Sequence, residues 1–462
     1  MAPTRCFILI ALSLFLAASQ PGLRAEDLTL ASIFTDHSVL QCDAAVPIWG
    51  TADRGAEISV TFAGQKKTGT ADATGKWLVK LDPLPASSTP RELIVTTGKE
   101  SLARMDVLVG EVWLASGQSN MRFPLSQAKD GKEVAARAEY PQLRYFRVGG
   151  TWVACTPKTS PAFSAVAYFF AVALQKERKV PVGIIENAVS GELGQNFMSP
   201  AGFQNDPELA ALVHRHTPQT STQWARLIEP VVPYGMRGVL WYQGEGNRDF
   251  PVTYRRLLPA LIADWRSHWG QGDLPFLVVQ LANYQERRSD PWEGKDCALR
   301  DAQFQTVRTV PNTALIVTID LGEAKDVHYP NKQPVGERLA LAARALAYDE
   351  KIEYSGPLFE SVQFTDGKAI VTFSHVDGGL TANGEPLTGF LLCGPDRRFV
   401  RAEARIDGDR VIVSSEKVPS PVAVRYAWER NPACNLSNRE GLPASPFRSD
   451  SFVNFFTKDG SD

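Results

Sequence analysis

The sequence predicts an α/β protein, a parallel sheet covered by helices on both faces, with β-rich regions before and after it. Three observations predict it. Between Val107 and Tyr348, short buried-type strands alternate with helical segments, which is the rhythm of βαβ units. From Leu28 to about Met105, short segments alternate apolar and polar residues between turn signals, and that texture returns after Tyr348. The run Gly110 to Met121 (GEVWLASGQSNM) carries an apolar strand straight into a turn of glycine, amides and serine. That layout puts the Ser119 hydroxyl at the carboxyl end of a strand, where open α/β sheets place their chemistry.

The first β region rests on Glu57-Ile58-Ser59-Val60-Thr61-Phe62 and Glu92-Leu93-Ile94-Val95-Thr96, between turns such as Ala52-Asp53-Arg54-Gly55 and Asp82-Pro83-Leu84-Pro85. In the middle region the expected strands are Val112 to Ala115, Val182 to Ile185, Gly238 to Tyr242, Phe276 to Leu281 and Ala314 to Ile319. Phe163 to Lys176 is a helix apolar nearly all round. Tyr254 to Trp269 places Leu257, Leu258, Leu261, Ile262, Trp265 and Trp269 on one helical face, and Pro334 opens a last helix through Leu346. Ala369 to Phe373, Arg410 to Val413 and Val422 to Tyr426 are strands of the second β region, which is either a separate sandwich or one completed by the N-terminal strands. The expected division is a signal peptide over 1–25, an N-terminal β-sandwich region over 26–105, the α/β domain over 106–350 and a C-terminal β region over 351–462.

Arg5, the apolar run Phe7 to Ala18 and the polar Ser19-Gln20-Pro21-Gly22 read as a secretory signal with cleavage after Ala25, so the protein is expected to be secreted or periplasmic. The apolar run is short for a membrane span, and no membrane partner is expected once it is removed. A formal net charge of -2 supplies no basic excess for nucleic acid. Beyond Cys6, the cysteines Cys42, Cys155, Cys297, Cys393 and Cys434 are scattered without a CxxC or Cys/His cluster, so no zinc site is indicated, and one or two disulfides are compatible with export. The composition, 44% hydrophobic and 22% charged, is that of a globular protein. It leaves the oligomeric state open.

A strand-end serine usually caps the following helix. Three stretches downstream make more of Ser119, because a serine esterase needs a base, a group to orient it and donors for an oxyanion. Of six histidines, His328 follows a strand of the α/β region, in Asp326-Val327-His328-Tyr329-Pro330. His214, His216 and His268 lack that placement and read as structural. Glu186 to Gly194 follows another strand with small residues, including Gly191, that let a backbone N–H approach an oxyanion. Trp241-Tyr242-Gln243-Gly244-Glu245-Gly246-Asn247 ends a third strand with two amides and a carboxylate. Glu245 has no equally placed second carboxylate, which speaks against glycosidase chemistry.

These four blocks, in this order, resemble the SGNH (GDSL-like) hydrolases, whose sheet is flavodoxin-like. More narrowly, the chain is similar to the sialate O-acetylesterase family along Gly110 to Leu125, Gly238 to Asn247, Trp265 to Leu281, Asn331 to Leu341 and Val424 to Phe447, and along Phe34 to Gln41 near the start. The resemblance spans essentially the whole mature chain. It implies Ser119 as nucleophile, His328 as base and Asp326 as third member or, failing that, a dyad. The implied oxyanion donors are the Ser119 and Gly191 N–H groups with a side-chain amide, Gln243 or else Asn247. Gln118, Arg122, Glu245 and Arg300 are candidate sugar contacts. No cofactor or metal is implied.

Three departures from the family pattern matter. Lys325 stands where the superfamily has its acid, Val189-Ser190 precede Gly191 in place of Trp-Gly, and Arg122 replaces a frequent acidic residue. The implied activity is removal of O-acetyl groups from a sugar or glycan, with O-acetylated sialic acid as substrate. Acetylated polysaccharide such as acetylxylan is the alternative. From a different class, a non-catalytic carbohydrate-binding protein is opposed by the intact Ser119, Gly191 and His328.

Overall fold

The computed structural model describes residues 27–291, 293–454, 456 and 458–459, so the expected signal segment and Cys6 lie outside the described residues. Strands β1 (Val39–Gln41), β2 (Val46–Thr51), β3 (Glu57–Phe62), β4 (Gln65–Thr70), β5 (Lys76–Leu81) and β6 (Ser87–Thr96) lead to β7 (Ser101–Gly117). Alternate side chains of β3 (Ile58, Val60, Phe62) and β5 (Trp77, Val79, Leu81) are buried, as a period of two requires when one face meets a core. β3 pairs with β4 and β6, while β2 and β5 form a separate antiparallel pair packed into the same core.

β7 is the hinge between the two textures. Its burial alternates up to Asp106 and is continuous from Val107 onward. The first half pairs with β6 and the second half pairs in parallel with β10 (Val182–Ala188) and β11 (Gly238–Tyr242). The boundary expected at 105/106 therefore falls inside one strand.

With β8 (Tyr140–Arg147), β9 (Val153–Cys155), β12 (Phe276–Val279) and β13 (Thr313–Ile316), the central sheet runs β13-β12-β11-β7-β10-β8-β9, parallel except for β9. Helices α1 (Ser119–Arg122), α2 (Gly131–Ala136), α3 (Ala165–Arg178), α4 (Pro200–Asn205), α5 (Pro207–His214), α6 (Pro251–Trp269), α7 (Lys295–Thr309) and α8 (Gln333–Tyr348) complete the middle region. Strand residues alternate between two cores. Trp113, Ala115, Leu240, Tyr242, Leu277 and Val279 pack with α3 and α8. Val112, Leu114, Val239, Trp241, Phe276 and Val278 pack with α6 and α7. From β7 the chain goes first to the β8/β10 side and then crosses to β11, so the carboxyl end of β7 is the topological switch point of the sheet.

In the C-terminal region, β14 (Leu358–Thr365) and β15 (Lys368–Ser374) join Arg410–Ser414 and Glu403–Asp407 in one antiparallel sheet, and Phe390–Cys393 pairs with Ala423–Tyr426 in another. Among the described residues, none of these strands pairs with the N-terminal ones, so the region builds its own sheets. The five described cysteines are free thiols, four of them buried, and no disulfide joins them. No described helix is long and apolar enough to cross a membrane.

Arg300, a candidate sugar contact, is a buried strut instead. It is 1% exposed and donates to the carbonyls of Leu281 (2.9 Å), Ala282 (2.7 Å), Glu429 (2.8 Å) and Arg430 (3.0 Å), tying the exit of β12 to the C-terminal region. Arg300→Met leaves several buried carbonyls unsatisfied and is expected to cost roughly 3–5 kcal/mol in urea unfolding. Unchanged stability with weakened sugar binding would reverse this assignment.

Candidate active site

The end of β7 comes unusually close to β11. Gly117 has φ +130, and a Cβ there would sit 2.1 Å from the Tyr242 carbonyl oxygen, so only glycine fits. The next residue, Gln118, donates its N–H to that same oxygen at 2.9 Å, and α1 starts at Ser119. The Ser119 Oγ lies 2.8 Å from His328 Nε2, within reach for an imidazole to take the hydroxyl proton. The histidine comes from the loop after β13, as the sequence placed it.

Asp326 is close to the imidazole without bonding it. Its Oδ1 accepts the His328 backbone N–H at 2.7 Å and stands 4.0 Å from Nδ1, beyond hydrogen-bond range. The carboxylate is half exposed (53%), and its hydrogen bond goes to the loop backbone, not to the ring.

Gly191 takes φ +75, with nothing within 4 Å of where a Cβ would be. The glycine is thus required by backbone conformation, and crowding plays no part. Among the described residues, the amides of Ser119 and Gly191 have no hydrogen-bond partner, which leaves both available as donors. The side-chain amides expected to join them do not. Gln243 is fully buried and spends its two amide protons on the Glu192 carbonyl (3.1 Å) and Asn247 Oδ1 (2.7 Å). Asn247 is equally buried, donates to Gln195 Oε1 (2.8 Å) and accepts from the Gly194 N–H (2.8 Å). Both amides shape the Glu186 to Gly194 turn from below, and neither lines the cleft over Ser119. Gln118 is likewise structural: its Oε1 accepts the N–H groups of Gly244 (3.3 Å) and Gly246 (3.1 Å).

That cleft, about 530 Å³, is lined by Ser119, Arg122, Arg147, Ser190, Asp326 and His328 among others. Arg122 donates to the Ala188 carbonyl at 3.2 Å and approaches Glu186 at 3.6 Å, while Arg147 is tightly paired to the same buried glutamate. A groove of similar size, about 540 Å³, between α3 and α8 holds no nucleophile–base pair among its lining residues.

Beneath the dyad lies a cluster that sequence reasoning missed. Asn120 Oδ1 accepts from Lys332 Nζ at 2.5 Å, and its Nδ2 donates to Glu245 Oε1 (2.5 Å) and to the Val327 carbonyl (3.2 Å). Glu245, a candidate sugar contact, is turned into this cluster and faces a separate recess of about 40 Å³. Burial pushes its carboxyl above the usual range, against the Asn120 bond and Lys332. Burial pushes the Lys332 ammonium down to about 7, opposed by Glu245 and Asp326. Asn120 adjoins Ser119 in the sequence and was legible to that extent; a lysine just before a helix gives no sign that it is buried.

The remaining histidines are occupied elsewhere. His214 bonds the Ala210 carbonyl, His216 stacks on Phe250, and His268 approaches Asp264. One metal-type group occurs among the described residues, Cys42 with Asp43 and Glu111, where β7 begins to pair with β10. Arg237 already places a cation there, bonding Glu111 at 2.8 Å and approaching Asp43 at 3.9 Å.

A serine hydroxyl within hydrogen-bond reach of an imidazole stands at the switch point of a parallel sheet, a geometry in which proton transfer from the hydroxyl to the ring is possible. Residues 109–345 match the family described as "Carbohydrate esterase, sialic acid-specific acetylesterase", and the chain belongs to that family as a carboxylic ester hydrolase. It is similar to the sialate O-acetylesterases of mouse (28% identical over 505 residues, 90% of this chain and 93% of the mouse protein) and human (28% over 483 residues, 90% and 91%). It also resembles the crystal structure of a carbohydrate acetylesterase from Xanthomonas citri, with a TM-score of 0.85 and 40% identity, covering 92% of this chain and all of that one.

Gly191→Val tests the amide assignment. The valine is strained at φ +75, and the shifted amide is expected to lower kcat on the order of a hundredfold, the roughly 3 kcal/mol of one oxyanion donor, with KM little changed. An effect confined to KM, measured on an aryl acetate, would place Gly191 in sugar binding.

Proposed function

We propose that this protein is an exported esterase that removes O-acetyl groups from sialic acid by a Ser119–His328 acyl-enzyme mechanism. The 2.8 Å contact between Ser119 Oγ and His328 Nε2, in an open cleft, carries the reading. Neutral His328 takes the hydroxyl proton as Oγ attacks the acetyl carbonyl. The Ser119 and Gly191 amides receive the oxyanion, the protonated imidazole returns its proton to the departing sugar hydroxyl, and water activated by His328 then frees acetate. The Ser119 proton thus leaves with the sugar hydroxyl, and the proton taken from water by His328 restores the Ser119 hydroxyl as acetate departs.

An acidic sugar is supported by the family and by the names of the mammalian relatives. Arg122 adds a physical reason: a half-exposed guanidinium beside the nucleophile suits a sugar carboxylate. The Xanthomonas citri protein is named only a carbohydrate acetylesterase, a description that admits a second reading, acetylated polysaccharide. Acetate release from O-acetylated sialosides and from acetylxylan, measured for the wild type and Arg122→Ala, separates them. On the first reading the variant loses the sialoside selectively. Equal loss on both substrates, or a preference for acetylxylan, supports the second. Export is supported by Arg5 and the apolar run Phe7 to Ala18, and an unprocessed, cell-retained protein would refute it.

Ser119→Ala is expected to cut turnover by about a million-fold while the protein stays folded, and His328→Ala by about as much, since the two act as one unit. An active, purified Ser119→Ala protein would end the assignment. Asp326→Asn should be mild. The carboxylate is half exposed and bonds the peptide, not the ring, and asparagine keeps the acceptor for the His328 N–H, so a loss within about tenfold is expected. A loss near ten-thousand-fold would instead show a full triad.

A further inference from the structure

The site contains a fully buried lysine and a partly exposed glutamate with a buried carboxylate oxygen, joined through one amide and with no part in the chemistry described above. Lys332 is 0% exposed, and its ammonium sits 3.6 Å from the centre of the Tyr329 ring, with Phe123 and Tyr242 at 5.2 and 5.6 Å. Glu245 has its Oε2 buried without a hydrogen-bond partner among the described residues. As a device for stability this is poor design, because a buried ion pair is often no better than apolar residues of the same volume.

The Asn120 amide lies between the two charges with its polarity matched to them, carbonyl oxygen toward the ammonium and NH2 toward the carboxylate. This fixes the amide against flipping and leaves one amide proton for a single further acceptor, the Val327 carbonyl. Asn120 follows Ser119, and Val327 precedes His328. The bond from Asn120 to Val327 therefore joins the immediate neighbours of the nucleophile and the base.

We propose that Lys332 and Glu245 are positioning residues that hold Ser119 and His328 in register through the Asn120 amide clamped between them. This rests on the Ser119–His328 reading. Lys332 stands just before Gln333, the first residue of α8, and Glu245 in the turn after β11, so the clamp gathers the ends of β7, β11 and the β13–α8 connection. Removing either charge lets the amide turn or tilt, releases the Val327 carbonyl and loosens the distance between Oγ and Nε2. A displacement of that kind slows chemistry while leaving the open sugar cleft, which neither residue lines, as it was.

The test is a double-mutant cycle on an aryl acetate with Lys332→Met, Glu245→Gln and both together, alongside Ser119→Ala and His328→Ala. Each charge variant should lose kcat on the order of tenfold or more with KM within about threefold of wild type. The double variant, with neither charge left unpaired, should be better than the product of the singles by about tenfold. Full kcat in either folded single, losses that multiply in the double, or a change confined to KM would overturn the proposal. Should Lys332→Met not fold, Glu245→Gln carries the test alone, since it keeps the shape and an acceptor for Asn120: a tenfold kcat loss at constant KM supports the clamp and full kcat refutes it. Activity surviving in Ser119→Ala or His328→Ala would mark failure of the catalytic reading, distinct from failure of the clamp.

Discussion

The site depends on how closely the ends of β7 and β11 approach one another at Gly117. The Tyr242 carbonyl accepts the Gln118 N–H, and the Gly117 carbonyl accepts the Val189 N–H at 3.0 Å, so two consecutive residues join the exits of three strands. Any Cβ at Gly117 would drive into the Tyr242 carbonyl and part those strands. Gln118 then reaches over to hold the Gly244 and Gly246 amides, and α1 lifts Ser119 into the cleft. The serine, the Gly191 turn and the Gln243 turn are one packed unit because β7 ends in a residue without a side chain.

What lies behind that point keeps it rigid. β7 runs 17 residues from the N-terminal sheet into the centre of the parallel one, so the N-terminal region is part of the scaffold. Gln41 accepts the Val112 N–H at 2.8 Å and donates to Glu111, which Arg237 also bonds. On the far side, Arg300 ties the exit of β12 to the C-terminal region. These struts spend buried polar side chains on backbone groups and a carboxylate, Gln41 and Arg237 back along β7 and Arg300 at the carboxyl end of the sheet.

The sequence made legible what depends on local pattern. The central strands, the helices α3, α6 and α8, and the strand-end positions of Ser119, Gly191 and His328 follow from apolar period and turn residues. β8 escaped because Tyr140–Arg147 holds Pro141, Arg144 and Arg147; those arginines enter the sheet by pairing with Asp106 and Glu186, partners far off in the chain. α7 escaped because Lys295, Asp296, Arg300, Asp301 and Gln303 are buried along it, which erases the apolar stripe. The amides of Gln243 and Asn247 stand at the right strand end, yet which way they turn is decided by Glu192, Gln195 and Gly194, a contact no single-sequence pattern encodes.

The spacing of Asp-Val-His explains why the acid is out of place. Two residues ahead of the histidine, a carboxylate reaches the His328 backbone N–H before it reaches the ring, closing a turn at 2.7 Å and leaving Nδ1 at 4.0 Å. The resemblance puts the superfamily's acid one residue earlier, where this chain has Lys325. The shorter spacing thus exchanges a grip on the imidazole for a grip on the peptide that carries it. Orientation of the ring must then come from the loop as a whole, held by Asp326 from the solvent side and by Asn120 on the Val327 carbonyl from the interior. A histidine steered by its backbone from two sides needs both holds to be stiff. The charges flanking Asn120 supply that stiffness where a single neutral amide, free to rotate, would not.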